Sequence, residues 1–211
     1  MDLSSLNRLK FYFKMPYKAR VAILISGRGS NMEKLIDASS QNDFPAQIVV
    51  VGSNNPKALG IDYAQKKSIP TFAIDHKNFQ SRQEFDNALH QELLKYKIDL
   101  ICLAGFMRIL GAEFIKLYPN KIINIHPSIL PEFKGAHAVK DAINAKAKIS
   151  GCTTHFVSPE VDSGQIIMQS QVKIDEHDNP ETLANKILAE EHKIYPLTLK
   201  LIAQQILNKT I

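Results

Sequence analysis

The run Arg20-Val-Ala-Ile-Leu-Ile-Ser constrains this chain most, because no polar side chain interrupts it between its two ends. A strand with one wet face alternates apolar and polar residues; a strand without alternation buries both faces. Parallel sheets covered by helices on both sides are where such strands belong. The run ends at Gly27-Arg-Gly-Ser-Asn, a tight turn that delivers the chain into a helix from Asn31 to about Ser39.

The same alternation recurs. Gln47–Ser53 reads as a second strand, Asn54-Asn55-Pro56 turns the chain into a helix through Lys67, and Thr71–Ile74 is a third strand. Ser81 to Tyr96 is amphipathic, and Ser81 followed by Glu84 has the spacing of a capping box. Asp99–Ala104 and Ile122–Ile125 supply strands four and five. Gly151–Val157 and Gln165–Ile174 then read as an antiparallel pair around a seven-residue loop. A helix from about Glu181 to Leu207 closes the chain. This order predicts an α/β fold: a doubly wound, mostly parallel open sheet with right-handed crossovers, a C-terminal antiparallel extension and a long C-terminal helix. No repeat or linker divides it, so residues 20–211 are expected to form one domain.

Composition excludes several classes of function. The net charge is +5, yet residues 1–20 carry +4 of it through Arg8, Lys10, Lys14, Lys18 and Arg20 against Asp2. The remaining body is nearly neutral, which argues against a nucleic-acid-binding face. No apolar run approaches the roughly 20 residues that span a bilayer. Cys102 and Cys152 lie in apolar strands without metal or redox spacing, so a reducing, cytoplasmic setting is expected and no metal is. Residues 1–19 form a basic extension with no continuous apolar segment or cleavage site; they read as a frayed tail, or as sequence ahead of a start at Met15.

In open α/β sheets ligands sit outside the carboxyl ends of the strands. Three segments end there: Gly27–Ser30, Gly105–Arg108 and Asn124–Ser128. At the first, Gly29, Ser30 and Asn31 offer backbone N–H groups, a hydroxyl and an amide to an anion at a helix N-terminus. A dinucleotide is disfavoured, because Met32 replaces the third glycine of that fingerprint and no acidic residue ends the second strand. The second offers an apolar lining in Met107, Ile109 and Leu110, suited to a flat ring system. At the third, Asn124 and His126 share one face of a strand while Ile123 and Ile125 take the other. An amide beside an imidazole can hold the oxyanion formed when a nucleophile attacks a carbonyl. Asp162, from a separate turn, could orient that imidazole or take a proton. His155 and His137 read as satisfied structural residues, and His76, His90, His177 and His192 as surface.

Together these segments resemble the folate-dependent phosphoribosylglycinamide formyltransferases. The motifs are Ile25-Ser-Gly-Arg-Gly-Ser-Asn, Leu103-Ala-Gly-Phe-Met-Arg-Ile-Leu, Asn124-Ile-His-Pro-Ser-Ile-Leu-Pro, Asp162-Ser-Gly and Glu191-His-Lys-Ile-Tyr-Pro, spread in order from about Val21 to Pro196. The resemblance implies a Rossmann-like formyltransferase fold, and transfer of a formyl group from 10-formyltetrahydrofolate to the amine of glycinamide ribonucleotide (GAR). It implies that Asn124, His126 and Asp162 are catalytic, and that Gly29, Ser30 and Asn31 hold the substrate phosphate while Glu190 and Glu191 serve its ribose. Arg82, Met107, Arg108, Ile109, Leu110 and Asn124 would contact the folate, together with Ser158, Pro159, Glu160, Val161 and Asp162. Small-molecule partners only, no membrane, and a monomer or homodimer complete the expectation. The chain departs from the pattern at Gln165, where the family often has proline, and at Val139, where many members carry a second histidine. Two folate enzymes share the Asn-Ile-His-Pro-Ser core or its half-site, methionyl-tRNA formyltransferase and formyltetrahydrofolate hydrolase. A non-catalytic folate- or nucleotide-binding protein is the reading from another class.

Overall fold

In a computed structural model, residues 17–209 are described; the sequence expectations for residues 1–16 fall outside them. Seven strands form one sheet in the order β3-β2-β1-β4-β5-β6-β7. β1 (Ala19–Ile25), β2 (Ala46–Ser53), β3 (Thr71–Ala73), β4 (Leu100–Leu103) and β5 (Ile122–His126) are mutually parallel. β6 (Ile149–Phe156) and β7 (Ile166–Lys173) run antiparallel to their neighbours. The doubly wound sheet with an antiparallel extension is therefore present.

The uninterrupted strand does bury both faces. Val21, Ile23 and Ile25 enter one apolar cluster while Ala22 and Leu24 enter the other. On the first face lie α1 (Ser30–Ser39), through Met32, Leu35 and Ile36, and α6 (Pro180–Leu207), through Ile187, Ile194 and Tyr195. On the second face lie α3 (Arg82–Leu94), through Phe85, Leu89 and Leu93, and α4 (Ala112–Leu117), through Phe114. The Tyr195 hydroxyl donates to the carbonyls of Leu103 and Ile123 at 2.9 and 3.2 Å, which fastens α6 across β4 and β5. Asn179 caps α6, exchanging hydrogen bonds with Thr182 in a capping box.

Several boundaries differ from expectation. β1 begins at Ala19, one residue before the expected strand start, and Tyr17 ahead of it donates to Asp99 at 2.7 Å. The second helix, α2 (Gly60–Lys66), starts four residues after Pro56, because Asn55 first closes a turn onto the Ala58 N–H. α4 and α5 (Ala138–Asn144) are short helices of six and seven residues that no sequence periodicity marked. At α3 the Ser81 hydroxyl accepts from the Glu84 N–H as expected, but the Glu84 carboxylate accepts from Gln80 rather than Ser81. The β6–β7 connection runs over residues 157–165 because each strand ends or begins a residue away from the expected bound.

Candidate active site

The strand order reverses between β1 and β4, and a crevice opens outside their carboxyl ends, where the connections diverge to opposite faces. A cavity of about 290 Å³ there is lined by Ser26–Asn31 and by Ala104, Gly105 and Met107. Gly29 takes φ 76°, a left-handed turn that aims the first N–H groups of α1 into this space. The Ser26 hydroxyl donates to Asn54 at 2.5 Å and accepts from the Met107 N–H at 2.7 Å, tying the two walls together.

Behind that cavity, the Asn31 amide donates to Glu191 at 2.7 Å. Glu191 is buried, and desolvation raises its pKa above the ordinary carboxylate range, partly offset by the Asn31 bond. The sheet thus brings Gly29, Ser30, Asn31 and Glu191 to one place. Glu190, one residue away on α6, turns elsewhere: it accepts from the Ser170 hydroxyl at 2.8 Å and from Lys193 at 2.6 Å.

Two strands further on, Asn124, His126 and Asp162 converge. Asn124 pairs across the sheet with His155, and His126 with Thr153, so all four side chains share a face. Asp162 Oδ2 lies 3.3 Å from His126 Nδ1, and Asp162 Oδ1 lies 3.6 Å from His155 Nε2. The loop holds Asp162 at φ 49°, and the Gly135 N–H donates to its Oδ2 at 2.9 Å. Gly164 permits this path, since a Cβ there would overlap the Phe156 carbonyl oxygen.

Backbone carbonyls set the tautomers of both histidines. His126 Nε2 meets the Phe133 carbonyl at 2.9 Å, and His155 Nδ1 meets the Phe156 carbonyl at 2.9 Å. A carbonyl oxygen only accepts, so both of those nitrogens carry hydrogen. Burial lowers the pKa of His155, with the Phe156 bond and Asp162 opposing. Neutral His155 therefore presents a lone pair on Nε2, and Asn124 Nδ2, 3.3 Å away, donates to it. That bond fixes the Asn124 amide so that its second N–H remains for a ligand. His126, with Nε2 engaged, has Nδ1 left for the Asp162 side.

A formyl transferase family profile matches residues 19–199. The chain belongs to the formyl transferase family. Phosphoribosylglycinamide formyltransferase of Bacillus subtilis is 38% identical over 181 residues, covering 86% of this chain and 93% of that protein. The bovine trifunctional purine biosynthetic protein adenosine-3 is 46% identical over 188 residues; the chain spans 19% of its length. Among solved structures, phosphoribosylglycinamide formyltransferase from Anaplasma phagocytophilum superposes with a TM-score of 0.83 at 46% identity, covering 90% of this chain and 89% of that one. Glycinamide ribonucleotide transformylase 1 from Symbiobacterium toebii gives 0.86 at 40%, covering 89% and 88%.

The wall after β4 is uneven. Met107 and Ile109 are exposed, at 78% and 54%, whereas Leu110 is buried in the second cluster and leaves only its backbone to a ligand. Arg108 lays its guanidinium 4.9 Å over the Phe85 ring. Arg82 opens α3 beside Gly111, close to the end of that wall. In the 158–162 loop, the Ser158 hydroxyl donates to the Glu160 carbonyl at 2.8 Å, Pro159 and Val161 are exposed, and Glu160 lies 3.7 Å from Lys134. Sequence reasoning missed three groups that touch the Asn124, His126 and Asp162 cluster: His155, the Phe133 carbonyl and the Gly135 N–H. His155 carried a signal, a titratable ring two residues after Thr153 in a strand whose other polar residues are only Ser150, Thr153 and Thr154; the two backbone groups carried none.

Proposed function

We propose that this chain transfers the formyl group of 10-formyltetrahydrofolate to the amine of N1-(5-phosphoribosyl)glycinamide, giving the N-formyl product and tetrahydrofolate, in de novo purine (IMP) biosynthesis. The observation that carries the reading is the convergence of Asn124, His126, His155 and Asp162 two strands from the anion-ready turn Gly29–Asn31. The substrate phosphate lies at the N-terminus of α1, with Glu191 taking ribose hydroxyls. The folate enters along Met107–Leu110, Arg82 and the 158–162 loop. The setting is cytoplasmic, and the two small molecules are the partners the reaction needs.

The GAR amine attacks the formyl carbon, forming a C–N bond and a tetrahedral oxyanion. The free N–H of Asn124 holds that oxygen, and the positive charge of protonated His126, whose Nδ1 faces Asp162, stabilises it. Such a preorganised donor typically contributes about 2.7–4 kcal/mol. The attacking nitrogen must lose a proton, and N10 of the folate must gain one as its bond to the formyl carbon breaks. Asp162 relays the proton between them. The carboxylate is only 11% exposed.

The test follows folate release spectroscopically with and without GAR, in the parent and in His126→Ala. GAR-dependent release that His126→Ala abolishes is the expected result. Release without GAR would replace transfer by hydrolysis, and no release in either condition would refute formyl chemistry.

A further inference from the structure

Three consecutive residues outside the strands reach the reaction centre together. The Phe133 carbonyl accepts from His126 Nε2 at 2.9 Å, and the Gly135 N–H donates to Asp162 Oδ2 at 2.9 Å. Between them, the Lys134 ammonium donates to the Ser163 hydroxyl at 2.6 Å and lies 3.7 Å from the Glu160 carboxylate. Ser163 follows Asp162 directly, and its hydroxyl donates in turn to the Val161 carbonyl at 3.0 Å. Lys134 is thus paired with residues on either side of Asp162 but has no task in the chemistry above.

The loop needs such a tie. Residues 158–164 lie in neither helix nor strand, and among the described residues no backbone–backbone hydrogen bond anchors them. The Ser158 and Ser163 hydroxyls donate only to carbonyls within the loop itself. The remaining polar ties, from Gly135, His126 and His155, all end on the Asp162 carboxylate. A carboxylate that takes up and releases a proton changes the strength of its own contacts each time. A tie through another group steadies the loop throughout. Asp162 and Phe133 also stand at φ 49° and 54°, left-handed conformations that persist where the surroundings over-determine them.

We propose that Lys134 is a positioning residue of the formyl-transfer centre, its ammonium clasping Ser163 and Glu160 so that Asp162 stays seated against His126. The inference rests on the formyl-transfer reading above and adds to it the device that holds the loop in place. The Lys134 and Glu160 side chains are 39% and 79% exposed, so solvent weakens the ionic half of the clasp and the short bond to Ser163 carries most of it. Misplacing a reacting group by about 1 Å costs up to roughly 10²-fold in rate. Loss of one partly exposed tie from a loop that other contacts still hold corresponds to less, roughly a three- to tenfold fall in kcat. Gly29–Asn31 and Glu191 take no part in the clasp, so the KM for GAR is expected to stay as it is.

The experiment measures steady-state kinetics and thermal melts of the full chain for two variants. Lys134→Met keeps the length of the side chain and removes the ammonium; Lys134→Arg keeps a donor of the same charge. Lys134→Met is expected to lower kcat roughly three- to tenfold at an unchanged GAR KM and melting temperature, and Lys134→Arg to retain most of the parent rate. The second comparison repeats Lys134→Met in an Asp162→Asn background. A residue that acts by seating the Asp162 charge has nothing left to seat there, so the further loss should shrink below about twofold. An unchanged kcat in Lys134→Met would overturn the proposal, and so would the same fold loss in both backgrounds, which would make Lys134 act independently of Asp162. A loss of kcat that tracks a lower melting temperature would reduce Lys134 to a structural contact. Absence of GAR-dependent turnover in the parent would instead sink the formyl-transfer reading itself.

Discussion

Replacing Asp162 by asparagine separates the charge of this carboxylate from its shape. The residue sits at φ 49°, in the left-handed region that asparagine tolerates better than most residues other than glycine. The amide oxygen can still accept from the Gly135 N–H, 2.9 Å from Oδ2 in the parent, so the loop keeps its anchor. What disappears is a negative charge 3.3 Å from His126 Nδ1. Two unit charges at that separation interact by about 5 kcal/mol at an effective dielectric constant near 20. The side chains are 6% and 11% exposed, so solvent screens the pair only weakly. That energy counts in full in the proposed mechanism, which has a cationic His126 facing the oxyanion, and it would correspond to nearly 10⁴ in rate. Loss of a positioned acid–base group costs ~10²–10⁴-fold by itself. The two describe one contact from two sides and do not add, so kcat is expected to fall roughly 10³–10⁴-fold. The KM for GAR should move by less than about twofold, because Gly29–Asn31 and Glu191 are untouched. Steady-state kinetics with each substrate varied, together with a thermal melt, reads both numbers. A fall in kcat below roughly tenfold in a variant that melts like the parent would refute the electrostatic argument. A parallel loss of GAR affinity would refute the division of roles.

Gly164→Ala should lower the melting temperature, because the new methyl meets the Phe156 carbonyl; overpacking at the upper end of about 1–3 kcal/mol corresponds to several degrees in a chain of this size, and an unchanged melt would contradict the geometry. Asn124→Ala removes the amide that His155 orients, and kcat should drop ~10²–10³-fold with little change in either KM; a drop confined to KM would assign Asn124 to binding alone. Glu191→Gln is expected to stabilise the protein near neutral pH while weakening GAR binding. The folded-state pKa of Glu191 is raised, so its contribution is full below the unfolded carboxylate value and is lost as pH rises through the folded one. Melting temperatures of parent and variant, measured from pH 4 to pH 8, should therefore diverge as pH rises, and parallel curves would show that burial does not penalise the charge.

The fold was legible where packing alone decides it. Arg20–Ser26 has no polar face, so nothing but a strand buried on both sides suits it, and β1 contributes to both apolar clusters. The long helix expected from about Glu181 to Leu207 is present as α6, and its Asn179–Thr182 capping box, which the sequence reading did not single out, fixes its start one residue earlier at Pro180. α4 and α5 were not legible, because six or seven residues hold fewer than two turns and show too little periodicity to read. Pro56 suggested a helix start, yet the local Asn55 turn competes for the same residues and delays α2 to Gly60.

The site was legible as a set of residues but not as a circuit. Asn124 and His126 stand out because an amide and an imidazole alternate with Ile123 and Ile125, which visibly own the core face. His155 alternates in the same way with Thr154 and Phe156, but one strand does not tell which face meets the active side. Pairing decides it. Antiparallel register places His155 opposite Asn124, while Thr154 turns to the other face and meets Thr198 of α6 at 2.8 Å. A slip of one residue between β5 and β6 would exchange those faces, sending the imidazole toward α6 and a threonine toward Asp162. The side chain that fixes Asn124 is thus selected by a long-range register. That register is held by Thr153, whose hydroxyl donates to the Ser128 carbonyl at 2.7 Å and accepts from the Leu130 N–H at 3.0 Å. The same clasp steadies the segment after β5 that supplies the Phe133 carbonyl to His126. One buried threonine therefore links the orientation of both histidines, and Thr153→Val should disturb Asn124 and His126 together rather than either alone. Proton NMR of the ring N–H groups would reveal this as joint loss of both signals, whereas loss of one signal alone would separate the two halves of the circuit.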